Sequence, residues 1–97
     1  MTGSPSASDA EAGSRLDTAE RAAEVYERTA EVLEHSAALA EDHAHRQERA
    51  GRRASAEKEY RAAERTRTAA KRARDAADRA RKAARQARSL APPDPKQ

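Results

Sequence analysis

This 97-residue chain contains no cysteine, isoleucine, phenylalanine or tryptophan. The missing cysteine excludes a disulfide scaffold, a Cys-ligated zinc module and thiol chemistry. Large aliphatic side chains are scarce as well: Leu16, Val25, Val32, Leu33, Leu39 and Leu90 are the whole set. That is far under the roughly one-fifth of a chain below which a packed core stops being the default expectation. A conventional globular core is excluded, and with it the rigid concave pocket on which most enzymes depend. No apolar run comes near the roughly 18 residues of a membrane-spanning helix. The opening stretch, MTGSPSASDAEAGS, lacks the basic start and apolar segment of a secretory signal, so the expected location is cytoplasmic.

What the chain does have is alanine, 26 residues of it, and charge, at 38% of the sequence. The net charge of +3 hides an asymmetry between the two halves. Residues 1–50 carry 11 acids and 5 bases, whereas residues 51–97 carry 6 acids and 15 bases. Such a split points either to a polyanionic partner or to two halves that pair with each other.

Residues 1–14 are small, polar and interrupted by Gly and Pro, and read as a disordered N-terminal tail. Ser14 followed by Asp17 forms a capping-box pattern, which starts an acidic amphipathic helix at Arg15 and runs it to Ala50. Gly51 then stands where a helix C-terminus favours glycine, with Arg46 and Arg49 in the turn before it. A turn over 51–55 leads to Ser55 as the N-cap of a second, basic helix over 56–91, with Glu57 and Glu59 in its first turn. Pro92 and Pro93 stop that helix, and 92–97 form a second disordered tail. Pairs at i,i+4 such as Asp17–Arg21, Glu24–Arg28 and Glu57–Arg61 support both helices locally.

A seven-residue repeat, AAERTRT, AAKRARD, AADRARK, AARQARS, begins at Ala62, Ala69, Ala76 and Ala83. With Ala63 at position a, Ala70, Ala77 and Ala84 follow at a, and Ala73 and Ala80 fall at d, so one stripe of the second helix is nearly all alanine. Arginine brackets it, at e as Arg67, Arg74, Arg81 and Arg88, and at c as Arg65, Arg72 and Arg79. In the first helix, Tyr26 and Leu33 share position a, and Val25, Val32 and Leu39 share g. Position e is small or apolar throughout (Leu16, Ala23, Ala30, Ala37, Ala44), and glutamate occupies b at Glu20, Glu27, Glu34, Glu41 and Glu48. The two seams differ in phase by two residues, a shift that the three- and four-residue insertions of a continuous coiled coil do not produce. The phase break, Gly51 and the two caps favour an all-α, antiparallel two-helix hairpin, coiled-coil-like and alanine-rich. Its rival is one long, broken helix, supported by a Glu48–Arg52 pair spanning the glycine.

Folding back at the turn places residues whose numbers sum to about 106 opposite one another. Val25, Tyr26, Val32, Leu33 and Leu39 are then expected to pack on the stripe of Ala63, Ala70, Ala73, Ala77, Ala80 and Ala84. The small e positions of the first helix let Arg67, Arg74, Arg81 and Arg88 reach the glutamates at b, an exposed ladder that sets register more than stability. Arg65, Arg72 and Arg79 lie on the other edge, where the first helix offers Arg21, Arg28 and Arg49. They are the candidate phosphate contacts, and without interleaved aromatics any nucleic-acid binding would be non-specific.

His35, His43 and His45 cluster with Glu41, Asp42 and Glu48, but the second helix has no His to complete a metal site. No metal or cofactor is expected. His43, at a seam position, is expected to loosen association when protonated, below about pH 6.5. No Gly-rich phosphate loop, Ser elbow or reactive thiol supports catalysis or a small-molecule substrate. The alanine face buries too little area for membrane binding. The expected function is a non-enzymatic helical interaction module that forms a homo-oligomer or docks on a helical protein partner. The alternative is a protein that binds nucleic acid non-specifically through the basic helix.

Overall fold

A computed structural model describes residues 7–90, which form two helices, α1 (Ala7–Arg49) and α2 (Arg53–Leu90). They fold back on each other as an antiparallel hairpin, so the single-rod alternative does not hold. At 38 residues α2 is about 57 Å long, and the hairpin is correspondingly slender. Among the described residues, no helix is long and apolar enough to cross a membrane.

The turn is shorter than the sequence suggests. Gly51 adopts φ +79°, the left-handed conformation that only glycine enters without strain. Arg52 N–H donates to the Gln47 carbonyl at 2.8 Å and Gly51 N–H to the Glu48 carbonyl at 3.0 Å. Together they make a Schellman closure of α1. The Ala56 N–H already bonds the Arg52 carbonyl at 3.0 Å, so α2 starts at Arg53 and Ser55 lies inside its first turn instead of capping it. The earlier start brings Ala56 into the buried row of α2. At the other end α1 begins at Ala7, ahead of the expected Arg15, and runs through Gly13 and Ser14 without a cap at Ser14. Residues 1–6 of the expected N-terminal tail, the expected last helical residue Ala91 and the expected tail 92–97 lie outside the described residues.

All eleven buried residues among those described are alanine. From α1 they are Ala23, Ala30, Ala37 and Ala44, the e row; from α2 they are Ala56, Ala63, Ala70, Ala77 and Ala84 at a, with Ala73 and Ala87 at d. Ala80 is half-buried. Methyl against methyl lets the axes approach to about 8 Å, the near end of the usual range for packed helices. The α2 stripe therefore packs as expected, but its partner row on α1 does not. Val25, Tyr26, Val32 and Leu39 remain 58%, 42%, 68% and 55% exposed, and Leu33 is half-buried.

Charge reach and packing together explain the rotation of α1. With the e row centred, the glutamates at b lie one row, about 50°, from the seam, on the side where the arginines at e of α2 stand. Centring the Tyr26–Leu33 row would double that angle and carry the glutamates out of reach. The ladder forms in full over four heptads. Arg67 Nε bonds Glu41 at 2.6 Å, Arg74 bonds Glu34 through two contacts of 2.5 and 2.7 Å, Arg81 pairs with Glu27, and Arg88 bonds Glu20 at 2.6 Å. Every rung sums to 108, close to the expected register. Much of the opposite charge of the two halves is thereby used inside the hairpin.

Candidate interaction face

With its ladder on one edge, the hairpin presents three other surfaces. The first is the open face opposite the ladder. From α1 it takes the row of Ala19, Tyr26, Leu33 and Ala40, and beside it Ala22, Thr29 and Ser36. From α2 it takes Thr66, Ala73, Ala80 and Ala87, and beside them Ala62, Ala69, Ala76, Ala83 and Leu90. These rows contain no charged residue over nearly the whole length of the seam. A groove near the open end is lined by residues of both helices, among them Ala19, Ala22, Ala80, Ala83 and Leu90, which places the two sets of rows on one surface. Val25, Val32 and Leu39 extend it around the outer side of α1.

Two hydroxyls on this face are already satisfied within their own helices. Thr29 Oγ1 donates to the Val25 carbonyl at 2.9 Å, and Thr66 Oγ1 to the Ala62 carbonyl at 3.0 Å. Each threonine thus spends its donor locally, so covering it costs less than covering a free hydroxyl. The result is an apolar strip two helices wide on a chain otherwise dense in charge. Sequence reasoning had set the same large residues against α2, and it missed the buried row Ala23, Ala30, Ala37 and Ala44. The signal for that row was present: four small residues at heptad spacing directly beside a row of glutamates.

The second surface is the outer row of α2, where Arg65, Arg72 and Arg79 are all exposed. Among the described residues, none of the three has an acidic partner within ion-pair distance, in contrast to Arg67, Arg74, Arg81 and Arg88. Guanidinium groups aligned at heptad spacing and unpaired are chemically suited to phosphate.

The third surface is the turn end. His43 Nδ1 lies 2.9 Å from Glu59 Oε1, and its other ring nitrogen lies 3.1 Å from Gln47 Nε2. The His43 ring is exposed instead of packed in the seam between the helices, and it continues the row of Ala22, Thr29 and Ser36. His45 Nδ1 and the Tyr60 hydroxyl are in hydrogen-bond contact at 2.6 Å, with the rings edge to face at 5.3 Å. Tyr60 takes the heptad position that arginine fills in the ladder. Its phenol is raised above its ordinary range by partial burial and then by the nearby Glu48 carboxylate. No group of three His, Asp or Glu residues among those described is placed to hold a metal ion.

In the ladder, Arg74 holds the Glu34 carboxyl below its ordinary range, chiefly through the hydrogen bond, and Arg67 does the same to Glu41. Comparison with known proteins adds no analogy: no family model, curated protein or solved structure matches the chain.

Proposed function

We propose that this chain is a non-enzymatic helical interaction module whose open face is covered by the helices of a protein partner. The observation that carries the reading is the exposure of Tyr26 beside an uncharged double row of α2, with Val25, Val32 and Leu39 exposed on the adjoining outer side of α1. Four large apolar residues on one strip are not needed by the hairpin, whose seam is made of alanine. Contiguous apolar surface of several hundred Å² on a small protein marks an interaction site. The seam buries little area per residue, so a hairpin of this size gains its stability by association.

The face also predicts which substitutions matter. Leu33→Asp places a charge in its middle without touching a seam alanine, and should abolish association. Replacing Arg65, Arg72 and Arg79 together by Gln should weaken association far less than Leu33→Asp does. Sedimentation equilibrium of both variants against the wild type distinguishes them. Full association by Leu33→Asp, with unchanged helicity, would overturn the reading.

The unpaired arginine row supports a second reading, non-specific nucleic-acid binding through α2. Duplex retention should then weaken steeply with salt, and the triple Gln variant should flatten the slope of log affinity against log salt. No retardation of any duplex at low salt would remove it.

A further inference from the structure

Building on the interaction-module reading, we infer that the partner is a second copy of this chain, laid face to face with both turns at the same end of a four-helix bundle. The open face is a strip close to 60 Å long and two helices wide, which supplies the roughly 800 Å² per partner that a stable interface buries. Two hairpins placed open face to open face have two symmetric arrangements. A two-fold axis along the bundle puts α1 of each copy over α2 of the other, with turns together. An axis across the bundle puts α1 over α1 and α2 over α2, with turns apart.

Side-chain size separates the two. On the open face α1 carries two large residues, Tyr26 and Leu33, among Ala19, Ala22, Thr29, Ser36 and Ala40, whereas α2 at the same levels carries only alanine, at Ala73, Ala76, Ala80 and Ala83. Setting α1 over α2 of the other copy matches large with small at both contacts, giving even helix spacing. The crossed arrangement gathers Tyr26 and Leu33 of both copies along one side and leaves mostly alanine along the other, which makes the helix spacing uneven and leaves packing defects.

Charge separates them further. Arg65, Arg72 and Arg79 form the outer rim of α2 and, among the described residues, have no acidic partner within ion-pair distance. With α2 over α2, three arginines of each copy would run along one edge, six like charges with Asp75 of each copy as the neighbouring carboxylate. With turns together, each arginine rim instead borders Val25, Val32 and Leu39 of the other copy. In the hairpin's register Val32 falls between the levels of Arg72 and Arg79, and Leu39 between those of Arg65 and Arg72. The exposed valines and leucine then fit between arginine stems, whose methylene groups cover them while the guanidinium heads stay in water.

The absence of native cysteine makes the arrangement measurable. Ala54→Cys and Ser89→Cys each place one exposed residue near opposite ends of α2. Each variant of the full chain, spin-labelled singly, reports only distances between copies by double electron–electron resonance. Turns together give distances of about 30 Å or less from both labels. Turns apart give about 45–60 Å for each label, the two distances summing to about 105 Å by the helical rise. The short pair of distances is expected. The long pair would overturn the same-end bundle while leaving the interaction-module reading standing. Loss of all dipolar modulation at 100 µM or so, with helicity retained, would show no second copy at all and reject self-association itself.

Discussion

At the seam, alanine limits size as much as it supplies apolar area. Ala30 and Ala37 have no exposed surface, so any added methylene must push the helices apart or leave its rotamer well. Ala30→Leu should cost about 1–3 kcal/mol by overpacking and lower the melting temperature by at least about 5 °C. Ala38→Leu, at an exposed neighbouring position, should change it little. Thermal melts followed by circular dichroism compare the two, and equal melting temperatures would contradict an alanine-only seam. The ladder carboxylates act by charge instead. Glu34 and Glu41 titrate below their ordinary value because Arg74 and Arg67 bond their charged forms. A lowered native pKa gives stability that is present above the unfolded value, near pH 4.3, and lost as pH falls through the lowered one. Melting temperature should therefore drop from about pH 4 downward, and Glu34→Gln should show a smaller drop. A drop of the same size in Glu34→Gln would remove that rung from the explanation.

At the scale of the elements, Gly13 and Gly51 have opposite effects. Gly51 holds φ +79° at the Schellman turn, while Gly13 sits in a helix with open space where a Cβ would stand. Gly51→Ala should destabilise the hairpin by about 1 kcal/mol, and Gly13→Ala should add helix by a similar increment. Melts and far-ultraviolet dichroism of the two variants check both signs. The helices, the turn glycine, the α2 stripe and the pairing of arginines at e with glutamates at b are all legible in the residues, because heptad repetition and capping are local signals. The rotation of α1 is less legible. Hydrophobic patterning ranks Leu33 and Val32 above Ala30 and so points the wrong row at α2. What decides the rotation is close approach of methyl rows together with ladder geometry, both of them properties of the pair of helices. The start of α2 is missed for a related reason: Ser55 is a good cap taken alone, yet the glycine closure is so short that the chain re-enters a helix before reaching it.

On the scale of the whole molecule, the division of labour among side chains is plain. Alanines close the hairpin, the Glu–Arg ladder fixes its register, and the large apolar residues are left facing outward. The open face is what remained hidden in the sequence, because the same five residues that mark it also look like a seam. The measurement that bears on it most directly is sedimentation equilibrium of the wild-type chain over a concentration series, paired with Leu33→Asp. The wild type is expected to sediment at twice its 10.6 kDa chain mass and Leu33→Asp as a single chain. A fully helical wild type at 10.6 kDa across the series, up to hundreds of micromolar or so, would contradict self-association through the open face.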